Sequence, residues 1–413
     1  MHDVIIIGGG IAGLYAAYKL KRLDPRLNFI LLEKGSIIGG RMGLEPFQGT
    51  MVTKGAGVGR KHKDKLLIKL LNDLQIPYRE FTSNRQYSRT IAPPPCDVAK
   101  TFSALQKKYK QNTENYKNKT FQDFAVAILG KDEYSRFTTC AGFKDYENAD
   151  VTDVLYNYGF DDNFTVWTGL GINWNDLVKS LIKYIGKNHT ITNSEVIRLK
   201  KISEGFMINT SDKTYTTKQV ILATTIDSVL RLMPAKLHGL YSQIRGQPFI
   251  RIYGKFDAKS RAIIQEYIIT QTVVPGPLYK IIPMDREKGV YMIAYSDNKG
   301  AKDLHKYSEN TVKNREILCR ILEQSLGLIE DTLTLLAIKS FYWSIGTHYY
   351  SPIRDLEHFP DRRAFIRAAQ YPIPGLYIVG EMVALDQGWV EGALESVENI
   401  IPACKQKTKV DRL

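Results

Sequence analysis

The chain's first thirty-odd residues leave little choice of fold. Val4-Ile5-Ile6-Ile7 is an unbroken apolar run, as expected of a strand buried on both faces of a parallel sheet. Gly8-Gly9-Gly10-Ile11-Ala12-Gly13 follows with no spacer and fits G-x-G-x-x-G. Leu14, Ala16, Ala17 and Leu20 then recur with helical spacing, and Phe29-Ile30-Leu31-Leu32 reads as a second buried strand ending at Glu33-Lys34. Gly8 permits the tight strand-to-helix turn. Gly10, without a Cβ, lets a pyrophosphate approach the backbone, and Gly13 lets the helix pack close to the sheet. Ile11 and Ala12 begin a helix whose free N–H groups and partial positive charge suit phosphate. Glu33 stands about 20 residues on, where a carboxylate accepts hydrogen bonds from ribose hydroxyls and disfavours a 2′-phosphate. A bare glycine motif is weak evidence, but here strand, glycines, helix, strand and acid arrive in register. They predict a dinucleotide site.

Two further motifs narrow the reading. Gly39-Gly40-Arg41 follows the ribose acid, and a guanidinium is a bidentate donor. Near the other end, Pro374-Gly375-Leu376-Tyr377-Ile378-Val379-Gly380-Glu381 is a turn, a buried strand and an acid at the strand's carboxyl end, where ligands of open α/β sheets bind. Gly388-Trp389-Val390-Glu391-Gly392 then opens a helix. With these motifs the sequence resembles the flavin-containing amine oxidase family of FAD proteins.

The resemblance implies an α/β, two-domain FAD/NAD(P)-binding Rossmann-type fold of the glutathione-reductase-like kind, with a mixed α+β substrate domain. The FAD-binding domain is expected over 1–77, 186–240 and 360–404, the substrate domain over 78–185 and 241–359, and a basic tail over 405–413. By the same resemblance the cofactor contacts are Gly8, Gly10, Ile11, Ala12, Gly13, Glu33, Lys34, Gly40, Arg41, Gly57, Val196, Gly380, Glu381, Gly388, Trp389 and Val390. Gly57 belongs to a loop passing near the flavin, Val196 to the adenine side, and Glu381 to the ribityl-phosphate region.

Family members place two aromatic rings over the flavin's catalytic face. Trp389 matches one, and His348 in Gly346-Thr347-His348-Tyr349-Tyr350 matches the other. Core packing of Trp389 and a structural role for His348 stay open on sequence alone. Ser344 to His348 contains no cysteine, so FAD bound non-covalently is implied. Arg251 stands where the family carries a lysine that assists reoxidation by oxygen. Arginine keeps its charge at all working pH and cannot cycle a proton as lysine does, and a surface arginine or a contact to a substrate carboxylate or phosphate are its other readings. The implied reaction is hydride transfer from an amine C–H to flavin N5, with molecular oxygen as acceptor and imine and hydrogen peroxide as products. A desaturase, porphyrinogen oxidase or sugar-nucleotide mutase built on the same FAD domain is the alternative, as is an FAD-bound structural protein without turnover.

The remaining composition sets bounds. The 413 residues hold 57 Lys+Arg against 43 Asp+Glu, a formal charge of +14, with modest clusters at Arg60–Lys65 and Lys405–Lys409. A solvated basic surface is the plain reading; an anionic partner rests on net charge alone. Cys96, Cys140, Cys319 and Cys404 lie far apart and form no metal-binding spacing or disulfide framework. Reduced thiols in the cytoplasm or another reducing compartment are expected. No metal and no transmembrane segment are expected either.

Overall fold

A computed structural model describes residues 1–353 and 358–410. Its first sheet grows from the N-terminal strand β1 (His2–Ile7), which leads into helix α1 (Ile11–Leu23) and strand β2 (Phe29–Leu32). Helix α2 (Trp174–Ile185) precedes the short strand β3 (Thr190–Ile191), and β4 (Thr214–Leu222) follows. Together with Leu376–Ile378 these strands form a parallel core, in which Ile5 pairs with both Ile30 and Val220, Leu222 with Ile378, and Leu32 with Ile191. The unbroken apolar runs are explained by this arrangement, because both faces are covered. Val4 and Ile6 pack against α1 and α2, and Ile5 and Ile7 against the opposite layer. Each such side chain contributes about 1.5–3 kcal/mol on burial.

The second sheet is mainly antiparallel. Strand β5 (Ile244–Phe256) lies between β6 (Val290–Asp297) and β7 (Leu335–Tyr350). Lys280–Asp285 and Gln271–Val273 extend it, and Arg85–Tyr87 closes the edge in parallel. Residues 98–156 form a helical layer with its own aromatic core. Within it the Thr120 hydroxyl accepts from Asp123 N–H (3.1 Å) and donates to Asp123 Oδ2 (2.8 Å), which fixes the start of helix Phe121–Leu129.

Four expectations change. Helix α2, assigned by sequence to the substrate region, shares one apolar core with α1 and the first sheet. The last helix, α3 (Val390–Val410), continues through 405–410, so the basic tail begins as helix backbone, and residues 411–413 lie outside the described residues. Cys96 and Cys140 form a disulfide, with Cα atoms 5.6 Å apart and a sequence separation of 44. The helical layer brings them together, which spacing cannot reveal, and the pairing removes the ground for a reducing compartment. Cys319 and Cys404 are buried and form no disulfide. Finally, Arg60 is not part of a solvated basic face. It is only 2% exposed and pairs with Asp64, Asp162 and Asp386, while Lys63 pairs with Asp161 and Asp162. Asp64 is four residues on from Arg60, while Asp161, Asp162 and Asp386 come from distant parts of the chain. Among the described residues no helix is long and apolar enough to cross a membrane.

Candidate active site

The glycine loop between β1 and α1 is held by its neighbours. Gly8 has φ +109°, and a Cβ there would lie 2.4 Å from the Ala223 carbonyl oxygen, so the turn admits only glycine. A Cβ on Gly13 would lie 2.0 Å from the Gly8 oxygen, which is the close helix-to-strand contact expected of that position. Gly10 differs: a Cβ built on it meets no atom within 4 Å. Gly10 is also the N-cap of α1, and no side chain caps that end. Open space therefore lies before uncapped N–H groups. Both Glu33 carboxylate oxygens are engaged by backbone, Oε2 by Gly9 N–H (2.7 Å) and Oε1 by Gly35 N–H (2.8 Å). Lys34 beside it is exposed. Ser194 donates its N–H to the Glu33 carbonyl, which brings the buried Val196 strand start to this end of the loop.

The second motif docks on the first. Gly39 N–H donates to the Gly9 carbonyl (2.9 Å), and a Cβ on Gly40 would be 3.1 Å from Gly10 Cα. Arg41 Nη1 reaches the Gly346 carbonyl (2.7 Å) and Glu381 Oε1 (2.9 Å). Glu381 Oε1 also accepts from His348 Nδ1 at 2.5 Å, and Oε2 accepts from Gly388 N–H at 3.1 Å. Burial would raise this carboxyl, but the His348 ring, the Arg41 guanidinium and the Gly388 N–H outweigh burial and hold it down at about 2. Gly380, next to it, has φ +125° and, like Gly10, open space where a Cβ would stand. Thus Gly8–Gly13, Gly40–Arg41 and Gly380–Glu381 converge.

His348 is 3% exposed, and Ile226 N–H approaches its Nε2 at 3.3 Å. An amide N–H can only donate, so Nε2 accepts and the proton sits on Nδ1. Both ring nitrogens have partners, so the ring is held in place. Arg251 is buried as well, although a surface arginine was one of its readings. Its Nη1 donates to Thr53 Oγ1, its guanidinium lies 4.5 Å from the Tyr295 ring centroid, and a Cβ on Gly57 would meet its Nη2 at 3.0 Å. Among the described residues Arg251 has no ion pair with a carboxylate. Trp389 stands just before α3, with the Arg60 guanidinium 3.8 Å from its ring centroid and Trp167 edge-on at 6.5 Å.

Two family models match. One, for an NAD(P)-binding Rossmann-like domain, covers residues 6–74. The other, for a flavin-containing amine oxidoreductase, covers residues 156–398, more than half of the chain.

The chain belongs to the flavin-containing amine oxidoreductase family.

It is accordingly an FAD-dependent oxidoreductase. Among solved structures it is similar to cyclohexylamine oxidase from Brevibacterium oxydans, at 14% identity and TM-score 0.76 over 99% of both chains. It is also similar to wild-type putrescine oxidase bound to putrescine, at 14% identity and TM-score 0.71 over 99% of both chains. An uncharacterized protein of Acanthamoeba polyphaga mimivirus is 20% identical, over 97% of this chain and 93% of that one. The family's FAD suits the chemistry of the convergent loops: open space at Gly10 and Gly380, an uncapped helix N-terminus, and an arginine anchored by Glu381.

Sequence reasoning on this amine oxidoreductase missed several residues. A small cavity of about 30 Å³ borders Thr347, His348, Gln387 and Gly388 and extends to Asp145, Tyr146 and Gln247. The carboxylates around Arg60 and the ring of Trp167 were not foreseen either. None of these belongs to a local motif; only the fold assembles them.

Proposed function

We propose that the protein oxidises a primary or secondary amine with non-covalently bound FAD, oxygen being the electron acceptor. When bound, the flavin supplies a hydride acceptor for the amine's α C–H, and the resulting imine is hydrolysed by water while oxygen leaves as hydrogen peroxide. The observation that carries this reading is the Arg41–Glu381–His348 chain, which ties the N-terminal dinucleotide motif to the C-terminal helix around the open positions Gly10 and Gly380.

The residue roles follow the local chemistry. Gly8, Gly10, Ile11, Ala12, Gly13, Gly40 and Arg41 receive the pyrophosphate, and Glu33 and Lys34 the ribose. Val196 lies on the adenine side. Gly57, Gly380, Glu381, Gly388 and Val390 border the flavin half. Trp389, locked by Arg60, offers a flat wall that orients the amine and excludes water. His348 is a positioning residue for Glu381. Arg251 puts a fixed positive charge beside Gly57 and cannot deliver a proton as a lysine would.

The test is release of the chromophore from the purified protein by denaturation, followed by anaerobic addition of amines to the intact form. Free FAD in the supernatant and bleaching of its visible bands by an amine are expected. Flavin that stays with the denatured chain would overturn non-covalent binding, and bands that no amine bleaches would overturn amine oxidation.

A further inference from the structure

The Cys96–Cys140 disulfide fastens an exposed loop to a buried helix. Residues 92–95 are all exposed, and Cys140 lies in the last turn of helix Lys131–Ala141. The chain on either side of the loop is pinned. The Ser88 and Thr90 hydroxyls both donate to the Ser325 carbonyl, at 2.8 and 2.7 Å, and Asp97 caps the following helix by accepting from Lys100 N–H. In between, Arg136 donates to the Ala92 carbonyl at 2.8 Å and to the Pro94 carbonyl. Arg136 precedes Cys140 by four residues, one helical turn, so both stand on the helix face that meets the loop.

The two sulfurs differ in access. Cys140 is 3% exposed, whereas Cys96 is half-buried between the exposed Pro95 and Asp97. Open space of about 290 Å³ lies against the same loop and helix, bordered by Ile91, Ala92, Arg136 and Thr139, and it has room for a small thiol. A neighbouring cation such as Arg136 favours a thiolate, both arriving and leaving. Cys319 and Cys404 lack these features: burial pushes their thiols up to about 11 and about 12.

The residues after Cys140 lead to the cavity that borders His348. The helix ends at Gly142, with φ +70°, and the next residues rest on the second sheet. The Lys280 ammonium sits 3.2 Å from the Phe143 ring centroid, Asp297 Oδ2 accepts from Lys144 N–H at 2.9 Å, and Asn298 Nδ2 donates to the Lys144 carbonyl at 3.0 Å. Asp145 and Tyr146 then line the cavity. The disulfide thus braces the end of the helix from the loop side, and the second sheet braces the residues that follow it.

We propose that Cys96–Cys140 is a thiol-exchange site, at which a small-molecule thiol opens the disulfide in the folded protein and loosens the segment 142–146 beside the cavity. The incoming thiolate attacks Cys96 Sγ, the bond to Cys140 breaks, and Cys140 leaves as a thiolate that takes up a proton. A second small thiolate attacks the outer sulfur of the mixed disulfide, which releases Cys96 as a thiolate and the small molecule as its own disulfide. Hydrogen peroxide reverses the change: the two cysteines give up two electrons and two protons, their sulfurs join, and the peroxide becomes two waters.

The experiment treats the full-length, FAD-loaded protein with glutathione or dithiothreitol under conditions where its circular dichroism stays native, then quenches with acid and alkylates the denatured chain. Alkylated thiols should rise from two to four per chain. Brief exposure to glutathione alone should leave its adduct on Cys96 and not on Cys140. Amide hydrogen exchange over 136–146 should speed up at least about threefold in the opened form and return to the starting rate once hydrogen peroxide has reclosed the bond. Cys96→Ser should show the faster exchange without any thiol and no further response to one; the wild-type readouts decide the matter if this variant does not fold. A bond that opens only when the protein melts overturns the exchange site, and an adduct on Cys140 alone overturns the assigned direction of attack. Opening that leaves exchange over 142–146 unchanged overturns the link to the cavity. No amine is used, so these outcomes are independent of the amine-oxidation reading.

Discussion

His348 Nδ1 donates to Glu381 Oε1 across 2.5 Å in the protein interior, and the same oxygen accepts from Arg41 at 2.9 Å. One carboxylate thus ties the residue after the Gly-Gly pair to strand β7. Its folded pKa of about 2 lies below the ordinary 4.5. A depressed carboxyl stabilises the fold above its unfolded pKa, and that contribution is lost as pH falls through the folded value. The shift corresponds to roughly 3 kcal/mol. Glu381→Gln should therefore lower stability by about that amount at neutral pH, and the gap to wild type should narrow as pH drops from about 5 toward 3. Urea unfolding of both proteins across that range measures it; a gap independent of pH would contradict the assignment.

The glycine loop gives a sharper contrast. Gly13→Ala places a Cβ 2.0 Å from a backbone oxygen, whereas Gly10→Ala places one in open space. The first should destabilise the fold by about 1–3 kcal/mol or more. The second should melt within a degree or two of wild type yet bind FAD at least about tenfold more weakly, because the methyl fills the space before the helix N-terminus. Melting curves and FAD titrations of the two variants separate the roles, and equal FAD affinity in wild type and Gly10→Ala would refute the assigned phosphate position.

These same glycines show what the sequence makes legible. A strand, a loop and a helix that follow one another in the chain leave a local signature, so β1, α1 and β2 fall where periodicity puts them. The Thr120–Asp123 cap is equally local, and its helix runs through Leu129. Arg60 has no such signature. Asp64 is a local partner, but Asp162 and Asp386 meet Arg60 only in three dimensions, and beside Lys61 and Lys63 the arginine reads as surface charge. Cys96 and Cys140 are hidden in the same way. Asp145 and Tyr146 are adjacent in the chain but Gln247 lies on β5, so the cavity they line appears only once the layers close.

Arg60 is a test of buried charge. It satisfies three carboxylates, and burial raises Asp64 and Asp386 against the pull of Arg60. Arg60→Met should cost about 3–5 kcal/mol at pH 7, since the acids are left unpaired. Part of that loss should return on mild acidification, as the raised carboxyls take up protons. Tryptophan fluorescence should also change, because Trp389 loses the cation on its ring. A variant as stable as wild type at neutral pH would contradict the cluster's role.

Gly57 and Arg251 should be energetically coupled. A Cβ at 57 meets the guanidinium nitrogens at 3.0 and 3.3 Å, so Gly57→Ala must displace Arg251. A double-mutant cycle with Arg251→Lys should give a coupling of about 0.5–3 kcal/mol. Arg251→Lys should in addition speed reoxidation of the reduced protein by oxygen by about tenfold, since lysine can cycle a proton. Stopped-flow mixing with aerated buffer reads this directly; an unchanged rate would show that this position does not govern the oxygen step.

The most direct test of the account is the visible spectrum of the purified protein during anaerobic addition of amines. Oxidised-flavin bands that bleach with an amine and return with air are the predicted result. A protein that takes up no FAD, or whose bound FAD no amine reduces, would contradict it.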